Sequence, residues 1–165
     1  MDSFLEFSEA ANSFNRADIR TRNQDVVWSP PPPLNTTKIN RDASFMGVSN
    51  VAIARSSNGD VINGIKAQTR SLNVFVTETL AIRLGFLLIY RNRWQNVIIE
   101  SDSFKTIKMI HEKMRILWEV SAIIGDIVSH TSNIGSICFQ HVLCTGNKVA
   151  DWIVKISIGG CCLPS

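Results

Sequence analysis

Four carboxylates, Asp42, Glu78, Asp102 and Asp151, stand on or beside the most apolar stretches of the chain and span most of its length. Asp42 follows Lys38-Ile39-Asn40-Arg41, Glu78 interrupts the apolar run 74–89, Asp102 closes Val97-Ile98-Ile99-Glu100-Ser101, and Asp151 follows Asn147-Lys148-Val149-Ala150. An ionised carboxylate buried alone is heavily penalised or gives up its charge. Convergence of the four on shared cations avoids both outcomes and makes a metal site the leading reading. Each acid also has an ordinary structural role open to it. Asp42 suits a strand-end turn, Glu78 the positive end of a helix dipole, Asp102 an N-cap and Asp151 a first helical turn.

The elements that must carry these acids are read from periodicity and punctuation. Strands are predicted over 36–45, 48–55 and 61–67, with Ser56-Ser57-Asn58-Gly59-Asp60 as a hairpin turn between the second and third. A helix is predicted over 76–91, apolar around most of its circumference, with Glu78 in its first turn. The continuous apolar run 97–101 reads as a buried parallel strand, and Asp102-Ser103 offers a cap for a helix over 104–114. Further helices over 118–128 and 147–158 flank a last strand over 134–142, and Gly159-Gly160 stops the chain's final helix. The order β-β-β-α-β-α-α-β-α implies an α/β fold, a mixed sheet with helices on its faces and ligands beyond the strand ends.

Composition narrows the setting. At 165 residues and 45% hydrophobic content, the chain holds one domain's worth of core. The division expected is an N-terminal segment and proline-rich linker over 1–34, a domain over 35–160 and a tail over 161–165, because the run Pro30-Pro31-Pro32-Pro33 is excluded from helix and central strand alike. A net charge of +3 permits a phosphate-backbone partner without requiring one. The longest apolar stretch, 80–90, is too short for a bilayer and contains Arg83, so no membrane association is expected. Residues 1–23 lack the basic start and apolar block of a secretory signal, which points to an intracellular protein. Cys138, Cys144, Cys161 and Cys162 show no C-x-x-C spacing, so reduced thiols are expected, with neither a disulfide-linked partner nor a structural zinc.

Five segments together carry a family resemblance: Trp28-Ser29 with the proline run, Lys38-Ile39-Asn40-Arg41-Asp42-Ala43, Thr77-Glu78-Thr79-Leu80-Ala81, Ile99-Glu100-Ser101-Asp102-Ser103, and His141-Val142 with Asn147-Lys148-Val149-Ala150-Asp151-Trp152. In this set and order the chain resembles the plant ribonuclease H-like domains related to those of non-LTR retrotransposon reverse transcriptases. The resemblance implies a ribonuclease H-like fold with a mixed five-stranded sheet, and hydrolysis of the RNA strand of an RNA–DNA hybrid. It also implies two Mg2+ ions, with Mn2+ as a possible substitute. Asp42 would bridge them, Glu78 and Asp102 would complete the shell of one, and Asp151 would help hold the other. The residue types suit that chemistry, because magnesium prefers hard oxygen ligands and a metal pair both activates water and stabilises a leaving oxyanion.

The same resemblance ranks the remaining candidates. Glu100 shares a strand face with Asp102, and the family pattern makes Asp102 the ligand and Glu100 a nearby acid paired with a base. His141 resembles the mobile histidine of the family, but its place in an apolar strand argues against that role. His111 and His130 read as solvated. Lys105, Lys108, Lys113, Arg115 and Lys148 could line a hybrid-binding face or simply face water, and Trp94 and Trp118 read as packing residues. Cys144 stands where the family often carries arginine, and the stretch between Asp102 and Asp151 lacks a distinct basic handle. Two functions are therefore carried forward. One is a metal-dependent endonuclease, and the other is a catalytically silent module that keeps the fold and binds nucleic acid or a protein.

Overall fold

A computed structural model describes residues 4–6, 29–44, 49–69 and 73–144, with the backbone alone for 4–6, 42, 44 and 49. Three antiparallel strands open the domain: β2 (Thr37–Ser44), β3 (Ser49–Arg55) and β4 (Val61–Gln68). A short strand β1 (Phe4–Glu6) adds antiparallel to β4 at the sheet's edge. Helix α1 (Val74–Asn92) leads to β5 (Asn96–Ser101), helix α2 (Phe104–Ile110), a 3-10 turn at Trp118–Val120, helix α3 (Ser121–Thr131) and β6 (Ser136–His141). The strand order is β1-β4-β3-β2-β5-β6, with β5 parallel to both β2 and β6. The predicted mixed five-stranded sheet is thus present as β2 to β6, and β1 extends it. That strand is three residues long, too short for a periodic pattern to mark it in the sequence. The helix predicted over 147–158 lies outside the described residues.

The strands alternate as the pleat requires. Ile39, Ala52, Ala54, Ile65 and Ile99 pack with Ile82, Leu88 and Ile89 of α1 in the main core, while Val51 and Ile53 form a smaller cluster with Val61. The hairpin turn closes with Ser56 N–H on the Asp60 carbonyl, and Gly59 takes the φ of +85° that side chains resist.

Three of the boundaries that differ from the sequence reading have a clear local cause. Asn73 caps α1 by accepting from the Phe75 amide at 2.9 Å and the Val76 amide at 3.4 Å, so the helix starts two residues earlier than predicted. Glu78 consequently sits past the first turn, and the first-turn assignment is corrected. Helix α2 stops at Ile110, not 114: Glu112 adopts φ +57°, its amide reaches the Met109 carbonyl, and the Lys113 amide reaches the Lys108 carbonyl. That pair of bonds is the Schellman arrangement, formed here without glycine. Trp118 begins a separate 3-10 turn before α3 and is 82% exposed, so its reading as a packing residue is overturned. Trp94 does pack against the main core.

Candidate functional site

Strands β2 and β5 run parallel with Asn40 opposite Glu100. Asp42 and Asp102 each stand two residues further on, toward the carboxyl ends of these neighbouring strands. Helix α1 brings the third acid to them. Glu78, Ala81, Ile82, Gly85 and Ile89 recur at helical spacing on one stripe, and all but Glu78 are buried. Gly85 faces the sheet on that stripe, where a Cβ would make van der Waals contact with Ile39 Cγ2 at 3.4 Å and Ile99 Cδ1 at 4.0 Å and a larger side chain would find no room.

The side chains at this end are unequally satisfied. Arg41 is fully buried, and its Nη1 donates to the Glu78 carbonyl oxygen at 3.0 Å and pairs with the Glu78 carboxylate. Burial pushes the Glu78 carboxyl above its usual value, Arg41 pulls it back, and the charge of Asp102 adds a smaller upward push. Asp102 Oδ1 is buried and has no hydrogen-bond partner among the described residues. Asp102 is also not the N-cap of α2. Ser103 holds that position, with its hydroxyl 2.7 Å from Thr106 Oγ1 and no side-chain bond to the helix amides.

Glu100 has a different environment. Its carboxylate meets Lys38 Nζ at 2.8 Å, Asn40 Nδ2 at 2.8 Å and Arg55 Nη2 at 3.7 Å, and also accepts from Ser29 Oγ. Lys38 in turn donates to Ser29 Oγ at 2.8 Å and to the Pro30 carbonyl at 2.5 Å, which ties the start of the proline run to the sheet. Arg55 donates to Asn40 Oδ1 at 2.7 Å, and burial lowers its pKa against the pull of Glu100. The acid two residues before Asp102 is thus paired with two bases. The sequence carried a signal for this network in Lys38, Asn40 and Arg55, three polar residues on strands of the central sheet. Arg41 gave a similar signal that the sequence reading did not use.

Other candidates fall as follows. His141 is exposed at the end of β6, opposite Ser101, with its ring 5.2 Å from that of Phe104. The argument that an apolar strand encloses it is corrected, since β6 buries only Phe139 fully. The His111 ring nitrogen Nε2 lies 3.0 Å from the Phe139 carbonyl, and His130 Nδ1 lies 2.6 Å from the Asp126 carbonyl. Lys105 and Lys108 lie on α2 just after Asp102, with their ammonium groups 4.9 Å from the Phe75 ring and 4.5 Å from the Phe104 ring. Lys113 and Arg115 are exposed, and Cys138 and Cys144 are free.

The donor set at the strand ends suits a hard cation: carboxylate oxygens, one of them buried without a partner. Glu78 meets that requirement less completely, because Arg41 already engages its carboxylate. Among the described residues no group of three or more His, Cys, Asp or Glu side chains stands ready for a metal ion. The side chain of Asp42 and the whole of Asp151, Lys148 and Cys161-Cys162 lie outside the description.

Comparison with solved structures gives the same architecture. The N-terminal RNase H domain of a Mycobacterium tuberculosis protein is 15% identical, covering 76% of this chain and 94% of its own, with a TM-score of 0.67. RNase H1 of Halobacterium salinarum is 12% identical over 76% of this chain and 98% of its own, with a TM-score of 0.65. LC11-RNase H1, solved in complex with an RNA/DNA hybrid, is 13% identical over 76% of this chain and 96% of its own, with a TM-score of 0.62. At such identities the likeness shows the fold. No curated protein matches the chain. The model of the family described as reverse transcriptase-like matches residues 40–157, a span holding all four acids, and the chain accordingly belongs to that family and has an RNase H-like domain.

Proposed function

We propose that the chain is a metal-dependent endoribonuclease that cuts the RNA strand of RNA–DNA hybrids, with Asp42, Glu78, Asp102 and Asp151 as ligands of two Mg2+ ions. The observation that carries this reading is the meeting of β2, β5 and α1, with Asp42 and Asp102 near the ends of parallel strands and Glu78 held to β2 through Arg41. Bound divalent ions would supply water activation and stabilisation of the leaving oxyanion. The chain's own part is to gather negative oxygens on rigid elements and to keep one of them, Asp102 Oδ1, out of water and ready for a cation. Lys105 and Lys108 follow Asp102 on α2, where they would meet backbone phosphates. The hybrid held by LC11-RNase H1 supports a nucleic-acid substrate of that class. Kinship with plant retroelement domains rests on the five sequence segments alone.

A second reading is favoured by the Arg41–Glu78 pair, which neutralises one ligand from within. In that reading the domain keeps its fold and binds nucleic acid or protein without turnover. Incubating purified protein with a fluorescent RNA–DNA hybrid, with and without Mg2+, separates the two. The nuclease predicts Mg2+-dependent cleavage that Asp42→Asn abolishes. Absence of cleavage, or cleavage that survives Asp42→Asn, overturns it.

A further inference from the structure

Arg41 is an unusual neighbour for a metal ligand. It is a cationic side chain fully buried on β2 one residue before Asp42. A buried arginine needs an anion beside it, because an unpaired charge in that position is strongly destabilising. Among the described residues Glu78 is such an anion, held twice by the same Nη1, through its backbone carbonyl and through its carboxylate. The carbonyl bond anchors the guanidinium to the α1 backbone, so the pairing does not depend on the Glu78 rotamer alone. A divalent cation at Glu78 would share a carboxylate whose Oε2 Arg41 already engages, and would sit close to a fixed positive charge in a poorly screened interior.

We propose that Arg41 is an internal competitor for the divalent ion at Glu78, so that metal loads this side of the centre only when the guanidinium yields the carboxylate. The proposal rests on the metal-centre reading above. Asp102 has no such competitor among the described residues, and its buried Oδ1 lacks a hydrogen-bond partner there. The two acids should therefore differ in their readiness for a cation, with Asp102 open and Glu78 occupied.

Mn2+ titration of the full chain, read by calorimetry and by electron paramagnetic resonance, tests this without recourse to activity. Arg41→Met keeps the length of the side chain and removes its charge, and should tighten Mn2+ binding by about tenfold, the equivalent of one lost charge-assisted contact. Arg41→Lys keeps the charge and should remain near the wild type. Equal affinity in wild type and Arg41→Met overturns the competition while leaving the metal centre standing. The same gain in both variants overturns it as well, because the effect would then not be one of charge. Failure of both wild type and Arg41→Met to bind Mn2+ overturns the metal-centre reading itself, and the competition with it. Should Arg41→Met not fold, the wild type alone decides. Its buried guanidinium 15N signals should shift for Arg41 and stay fixed for Arg55 as Mg2+ saturates, and an unmoved Arg41 signal during demonstrable Mg2+ binding overturns the proposal.

Discussion

Glu100 and Asp102 are two residues apart, yet their carboxylates have opposite circumstances. Glu100 is 1% exposed and surrounded by two cations, an amide and a hydroxyl. Asp102 is partly exposed and has a buried oxygen with no partner among the described residues. A saturated acid has no lone pairs left for an incoming cation, so its work is to hold the fold together. An unsaturated acid costs folding energy that only a ligand recovers. The contrast separates structural from functional carboxylates where sequence position alone does not, and it ranks Glu78, with one cation beside it, between the two.

The largest effect should come from the unsaturated side. Asp102→Asn should reduce Mg2+-dependent hybrid cleavage by roughly a thousandfold or more, since metal-borne charge stabilisation amounts to several kcal/mol. The melting temperature should hold or rise, because the substitution removes a charge from a partly buried site without breaking a described hydrogen bond. Kinetics and a thermal melt on one preparation check both halves. A large fall in melting temperature would move Asp102 into the structural class.

Glu100→Ala should do the reverse. Leaving Lys38 and Arg55 buried without their counter-ion should cost about 3–5 kcal/mol in denaturant unfolding, while cleavage per folded molecule stays close to wild type. A specific loss of cleavage in fully folded Glu100→Ala would erase the distinction between the two acids.

Gly85→Leu acts on α1 and not on the Glu100 network. With Ile39 Cγ2 already 3.4 Å from the position of a first added carbon, a branched side chain must lift the helix. Overpacking of this kind typically costs about 1–3 kcal/mol, and cleavage should fall further than stability because Glu78 rides on the same stripe. Unfolding curves and single-turnover cleavage, measured together, show whether the two losses part company.

Much of this arrangement was legible in the chain. The three opening strands followed from their residues and from the turn at Gly59, and β5 announced itself as parallel by its continuous apolar run. The end of α2 was not legible, because Glu112 takes a left-handed conformation that sequence rules assign to glycine or asparagine. The early start of α1 was not read because it is decided locally, by the Asn73 side chain accepting from the Phe75 and Val76 amides. At the candidate site, sequence pointed to the acids but not to their saturation. Whether a carboxylate is paired depends on Arg41 reaching α1 and on Lys38 and Arg55 meeting Glu100 across the sheet, contacts set by register and twist.

The smallest effect concerns Glu78 itself, and its sign tests the intermediate rank. Burial is the largest influence on its carboxyl and raises the pKa above the ordinary 4.5, with Arg41 opposing. The folded chain therefore binds this proton more tightly than the unfolded chain does, so between the two pKa values the folded state carries more protons and stability declines as pH rises. Below the unfolded value the contribution is fully present, and above the folded value it has been lost. Metal-free melting temperatures of wild type and Glu78→Gln, taken in steps upward from pH 4.5, should converge on a falling wild-type advantage across that window. A wild-type advantage that grows with pH would mean that Arg41 outweighs burial and that Glu78, like Glu100, is a satisfied acid. The line between the two regions would then run between Glu78 and Asp102, and the competition at Glu78 would be one that the guanidinium wins.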